Sequence, residues 1–217
     1  MRRLAPLAAL TLLLQGLTAC GGAPPPAAPP PADTGTSPAQ TTESDDGLVG
    51  QPLAGPLPTR WIGAPLTLDG GGDGSGVRAT LIRFWTDTCP FCTASLPALQ
   101  ALRDSYGPRG LQTVGVYHPK PPRAVDDSTV RDAAEERGYT GPVAVDPDWT
   151  TVRELWLDAG DGAPRATSAA LLVDRDGVIR HVHPGPEFHP SDDPSHASCD
   201  ADYRALERAI EELLGDG

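Results

Sequence analysis

Ala79-Thr80-Leu81-Ile82-Arg83-Phe84-Trp85-Thr86-Asp87-Thr88-Cys89-Pro90-Phe91-Cys92 decides the reading of this chain. Its first seven residues form a short apolar run rich in strand formers, and Thr86-Asp87-Thr88 supplies a turn. From Pro90 to Tyr106 the residues Leu96, Leu99 and Leu102 recur at helical spacing, and proline is favoured at the first helical position. Cys89 is therefore expected at the N-terminal end of that helix, where unpaired amides and the helix dipole favour a thiolate. Cys92 falls one turn later on the same face, within bridging distance. Two thiols so placed make a two-electron redox centre in which Cys89 attacks and Cys92 resolves.

Further along, Leu111 to Tyr117 has the length and β-branched content of a buried strand, and a helix is expected from about Ser128 to Arg137, stopped by Gly138. Val143 to Val145 reads as a short strand and Thr150 to Leu157 as a short helix. Ala169 to Val173, the turn Asp174-Arg175-Asp176-Gly177 and Val178 to His183 read as a hairpin. Asp202 to Leu214 is an amphipathic helix that turns Tyr203, Leu206, Ile210, Leu213 and Leu214 inward. That order predicts an α/β class, a three-layer fold with a central mixed β-sheet flanked by helices.

The N-terminal part is of another kind. Arg2 and Arg3 precede an apolar run, Leu4 to Leu17, that is short for a bilayer span. Leu17-Thr18-Ala19-Cys20 closes it and resembles the bacterial lipobox, which implies a lipoprotein signal peptide over residues 1–19 and lipidation of Cys20. Residues 20–46 are rich in Pro, Ala, Ser and Thr and read as a disordered tether, because they lack the apolar surface needed to order themselves. Residues 47–217 are left for one domain. With 17 basic against 29 acidic side chains and a formal net charge of −12, nucleic acid is not expected as a partner. Export would place the remaining three thiols in a setting that tolerates disulfides.

Between Leu48 and Leu214 the chain resembles the thioredoxin superfamily, in particular membrane-tethered thiol-disulfide oxidoreductases of the TlpA and ResA type, the redoxin-like lipoproteins. Phe84-Trp85 ahead of the cysteine pair, the pair itself, Pro97 where these proteins kink the first helix, Val114-Gly115-Val116 and the hairpin Leu172 to Gly177 carry the resemblance. It implies a thioredoxin-like fold and Thr167-Ser168 as the substrate loop, at the place where the family has a cis-proline; Pro164 lies four residues too early. Arg83 stands where thioredoxins bury a proton-shuttling acid. Two readings of it remain, a charge that lowers a neighbouring thiol pKa or an outward arginine on the strand edge. Ser95 stands where this subfamily often has a Glu near the thiols.

An unusual stretch follows the hairpin: His181-Val182-His183-Pro184-Gly185-Pro186-Glu187-Phe188-His189, then Asp192, Asp193, His196 and Cys199. The remaining histidine, His118, ends the strand Leu111 to Tyr117. His118 and the segment from Pro184 to Asp200 are candidates to face the cysteine pair, because ligand sites gather beyond the carboxyl ends of parallel strands. Three readings of Cys199 stand: an inert loop cysteine, a third redox thiol supported by His196, or a ligand in a Cys3His metal set of His196 and Cys199 with Cys89 and Cys92. His181 and His183 share one face of their strand and are expected at the surface.

The leading function is an exported, lipid-anchored thiol-disulfide oxidoreductase facing the periplasm or exterior. It would exchange disulfides with protein thiols and take electrons from a separate membrane donor. That chemistry requires no cofactor. Two alternatives stand beside it. Thr86-Asp87-Thr88-Cys89 fits the Thr-x-x-Cys of peroxiredoxin-like thiol peroxidases, although Ile82 replaces their proline. Sco-like copper-binding assembly factors share the fold, although they use CxxxC.

Overall fold

The computed structural model describes residues 47–66, 68, 76–160 and 165–215. The signal peptide, Cys20, the tether and Pro164 lie outside the described residues. Six strands form one mixed sheet: β1 Trp61–Ile62, β2 Ala79–Trp85, β3 Leu111–Tyr117, β4 Val143–Val145, β5 Ala170–Asp174 and β6 Ile179–His183. Their spatial order is β1-β4-β3-β2-β5-β6, with β2 parallel to β3, β3 parallel to β4, and the pairs β1/β4, β2/β5 and β5/β6 antiparallel. Strand β2 is central and buried along its whole length, so both faces must be apolar, as its sequence shows.

Two cores follow from the two faces of the sheet. Ala79, Leu81 and Trp85 pack with Cys92, Leu96, Leu99, Val130, Tyr203, Leu206 and Ile210. Ile82 and Phe84 pack on the other side with Val114, Val116, Val152, Leu155 and Trp156. The helices are α1 Pro90–Ala94, α2 Leu96–Tyr106, α3 Asp127–Glu135, α4 Thr150–Val152 continued by a π-type turn Arg153–Leu157, and α5 Ala197–Leu214.

The expected helix from Pro90 to Tyr106 is broken at Ser95 (φ −86°, ψ −8°). Pro97 has no amide N–H and its ring crowds the carbonyl of Thr93, so the i to i−4 ladder cannot pass it. The last helix begins at Ala197, five residues before the expected Asp202. Asp193 caps the 3-10 turn Pro194–His196 that feeds it, and Cys199 extends the inward stripe one turn ahead of Tyr203. Leu213 is half-buried against the core rather than within it. Strand β1 carries no pattern long enough to be read from sequence; pairing with β4 creates it. His183 is buried rather than at the surface, its ring set edge-on to Phe188 at 5.1 Å.

In β3, Gly115 leaves room for the indole edge of Trp85. A Cβ there would sit 2.8 Å from Trp85 Nε1 and 3.4 Å from Tyr139 Cε1. Both rings are fully enclosed, so neither can yield cheaply. Gly115→Ala is expected to lower unfolding stability by about 1–3 kcal/mol, read from urea midpoints at unchanged m-value.

Candidate active site

Cys89 occupies the N-cap of α1 in an extended conformation, followed by Pro90 as the first helical residue. Its sulfur accepts the amide N–H of Cys92 at 3.4 Å and also the Cys92 thiol hydrogen. The two sulfurs are not bridged. Cys89 is half-exposed and Cys92 is buried, so a partner reaches one sulfur and not the other. Between them Phe91 is 52% exposed, one of two large apolar side chains left open among the described residues.

Directly beneath the pair lies Arg83. Alternation along β2 puts it on the face of Leu81 and Trp85, and it is completely buried, which removes the strand-edge reading. Its guanidinium donates to the Ser168 carbonyl (3.0 Å), the Ser95 hydroxyl (3.2 Å) and the Pro186 carbonyl (2.8 Å), and it lies 5.1 Å from the centre of the Phe188 ring. Burial lowers its pKa to about 10, against the pull of Cys92, Cys89 and Glu187. It remains a cation at physiological pH. Burial, then the thiol hydrogen bond to Cys89, pushes Cys92 up to about 11, while Arg83 and the Ser168 hydroxyl hold it down.

Ser168 is thus brought to the sulfurs, with its hydroxyl on Cys92, whereas Thr167 is half-exposed. The cis peptide bonds among the described residues precede Pro121 and Pro186, not Ser168. The segment after β6 covers Ser168: a Cβ at Gly185 (φ +96°) would meet the Ser168 carbonyl oxygen at 2.3 Å, so only glycine fits. The Ser95 hydroxyl, in the place of the subfamily's Glu, accepts the Phe188 amide at 2.9 Å.

His118 does not open onto the cysteines. It is fully buried, edge-on to Trp149 at 5.4 Å, and neither ring nitrogen meets a partner at hydrogen-bond geometry. Burial lowers it to about 4, opposed by the nearby Val116 carbonyl and reinforced by Lys120 and Arg83. Nor do His196 and Cys199 join the cysteine pair. Their ligand atoms gather with those of Glu187 and His189, which removes the Cys3His alternative with Cys89 and Cys92. Burial, then Glu187, raises the Cys199 thiol, the reverse of the thiolate support expected from His196. Glu187, Phe188 and His189 escaped sequence reasoning as site residues; the signal was their place in the His-rich segment.

A family model described as Redoxin matches residues 75–198, more than half of the chain. The chain belongs to the Redoxin family. That membership fits the thioredoxin-like resemblance carried by the motif register around Cys89. The thiol-disulfide oxidoreductase YkuV of Bacillus subtilis (strain 168) is 29% identical over 110 residues, covering 51% of this chain and 69% of its own length. Protein DipZ of Mycobacterium bovis is 25% identical over 139 residues, 64% of this chain but 17% of DipZ. Among solved structures, a thioredoxin-like protein in the oxidized form aligns with a TM-score of 0.53 at 23% identity, over 76% of this chain and 95% of its own. A thiol:disulfide interchange protein from Bacteroides sp. aligns at 0.51 and 16% identity, over 75% and 90%. Both confirm the fold. Among the described residues no helix is long and apolar enough to cross a membrane.

A folded-state pKa depressed to about 4 means that His118 stays neutral while the unfolded chain takes up its proton. Its contribution is complete above pH ~6.5 and is lost as pH falls from there toward ~4, up to about 3 kcal/mol. Denaturant titrations across that window should show a shallower fall for His118→Phe, with His183, also lowered chiefly by burial, retaining part of the slope.

Proposed function

We propose that this thioredoxin-like oxidoreductase exchanges disulfides with protein thiols through Cys89 and Cys92. The observation that carries the reading is the pairing of a half-exposed sulfur at a helix N-cap with a buried sulfur one turn on, above a buried guanidinium. The Cys89 thiolate attacks a substrate disulfide; that S–S bond breaks, a Cys89 mixed disulfide forms, and the departing sulfur takes up a proton. Cys92 then gives up its proton and attacks the Cys89 sulfur, releasing the second substrate thiol and closing the Cys89–Cys92 disulfide. Two electrons pass to the substrate. A separate dithiol donor returns them, and the same steps in reverse oxidise a substrate.

Cys92 reacts second because its proton is held by burial until Cys89 is engaged, after which the Arg83 charge and the Ser168 hydroxyl receive its thiolate. Phe91 offers an apolar contact beside the reactive sulfur for the partner's chain around its own cysteine. Thr86 supports a peroxide site poorly, because it is buried and its hydroxyl is engaged by Asp87 (3.3 Å) and Thr88 (3.4 Å). Leu17-Thr18-Ala19-Cys20 and the Pro-rich segment after it support export, lipidation at Cys20 and a tethered domain over residues 47–217, at the outer face of a bacterial membrane.

Reduction of insulin disulfides by the reduced chain tests the chemistry. Cys89→Ser is expected to abolish turnover, and Cys92→Ser to accumulate a mixed disulfide resolvable by mass; trapping by Cys89→Ser instead would reverse the roles. Peroxide consumption at a comparable rate would overturn the reading. For the anchor, Cys20→Ala should move the protein from the membrane fraction to the soluble fraction of expressing cells. Unchanged membrane retention would remove the lipid.

A further inference from the structure

The segment between β6 and α5 gathers four side chains that the disulfide chemistry does not use. The carboxylate of Glu187, the imidazoles of His189 and His196 and the sulfur of Cys199 each bring one ligand atom, all within 4.8 Å of one another. Tetrahedral zinc, with nitrogen and oxygen at about 2.0–2.2 Å and sulfur at about 2.3 Å, sets donor separations of roughly 3.3–3.8 Å. The cluster therefore needs to contract by about 1 Å, within the reach of side-chain rotation.

The scaffold around these donors is built in detail. His189 Nδ1 lies 3.2 Å from the Pro190 carbonyl oxygen. A carbonyl only accepts, so Nδ1 carries the hydrogen and Nε2 keeps the lone pair, which is how ligating histidines are commonly oriented. The His189 amide donates to the Cys199 carbonyl at 3.3 Å, tying the first histidine to the cysteine's own turn. Asp193 Oδ1 accepts from the Ser195 amide (2.9 Å) and hydroxyl (2.8 Å), fixing the turn that carries His196. The two imidazoles are 5.1 Å apart and tilted by 54°, converging rather than stacked.

Charge and sequence spacing agree with that geometry. The Cys199 sulfur lies 3.6 Å from a Glu187 carboxylate oxygen. A thiolate, a carboxylate and two neutral imidazoles cancel the charge of a divalent ion. Cys199 is buried and the other three are half-buried, so an ion can enter while four protein donors complete its shell, the pattern of a structural rather than a catalytic site. All four come from Glu187 to Cys199, a span as short as that of many structural zinc sites. One thiolate and two imidazoles favour zinc over the hard cations magnesium and calcium.

We propose that Glu187, His189, His196 and Cys199 form a tetrahedral site for a divalent transition metal, zinc by its donor set, which clamps the segment after β6 to the first turn of α5. The same segment supplies the Pro186 carbonyl to Arg83 and the Phe188 amide to Ser95. The ion would thereby brace the cover of the redox centre from a position outside it.

The test uses the full chain as Cys20→Ser/Cys89→Ser/Cys92→Ser, in which Cys199 is the one thiol of the original four. Anaerobic titration with Co2+ should saturate at one equivalent, giving the visible d–d bands of tetrahedral cobalt and a near-ultraviolet thiolate-to-cobalt charge-transfer band, both erased by one equivalent of Zn2+. Adding Cys199→Ser should remove the charge-transfer band, and His189→Gln, His196→Gln and Glu187→Gln should each weaken Zn2+ binding at least tenfold in competition with a chromophoric chelator. Circular dichroism without metal checks that each variant is folded. Zn2+ should also raise the thermal midpoint of the otherwise unaltered chain, and not that of the His196→Gln chain. Octahedral cobalt spectra, absence of the thiolate band, or equal Zn2+ affinity in folded His196→Gln would overturn the site.

Discussion

A guanidinium with no access to water must find its hydrogen-bond acceptors inside the protein, and the rest of this structure is arranged around how Arg83 does so. Its three hydrogen bonds reach the loop ahead of β5, the junction of α1 and α2, and the segment after β6. Leaving a buried group without its hydrogen-bond partner costs about 1–3 kcal/mol, and more when the group is charged, which exceeds what an exposed ion pair is worth. Each of those segments is therefore held against β2 by a penalty for leaving. The charge has a second consequence, because it lies beneath the two sulfurs and offsets part of the desolvation that otherwise keeps Cys92 protonated.

The helix break serves the same arrangement. Pro97 ends α1 at Ser95, and the freed Ser95 hydroxyl accepts both Arg83 and the Phe188 amide. A continuous helix would leave that serine as one more side chain on a turn. The kink turns it into the joint between the cysteine helix and the cover over Ser168. Gly185 completes the cover, since any side chain there would collide with the carbonyl that Arg83 holds. The four donors from Glu187 to Cys199, three half-buried and Cys199 buried, belong to the same segment and its junction with α5, so redox centre and candidate metal site share that segment without sharing a ligand.

Much of this was legible in the sequence because it is local. A proline at the first helical position, a seven-residue apolar strand and an Asp-Gly turn act through backbone preferences that need no distant partner, and such signals placed β2 through β6 and the Cys89–Cys92 register, whereas the periodicity from Pro90 to Tyr106 read as one helix and only the family resemblance pointed to a kink at Pro97. Local patterning also has a limit. The period of a strand says that Arg83 sits opposite Ile82 and Phe84, but not which face carries the cysteines, and that was decided by where β3, β5 and α1 pack. Cys199 read as a loop residue because its surroundings are polar; its burial comes from α5 starting a turn earlier, over Tyr203 and the core.

By itself, then, the sequence determined the thioredoxin-like order of elements and the dithiol at the helix start, both products of short-range geometry. The tertiary structure alone decided what surrounds them. Arg83 meets Ser168 and Pro186 across 85 and 103 residues of chain. His118 is sealed against Trp149 and kept neutral, and His196 and Cys199 turn toward Glu187 and His189 instead of the active sulfurs. Such pairings depend on the path of the whole chain through the sheet, which no window of sequence contains, because the energy that fixes them comes from burying groups that are far apart until the fold closes.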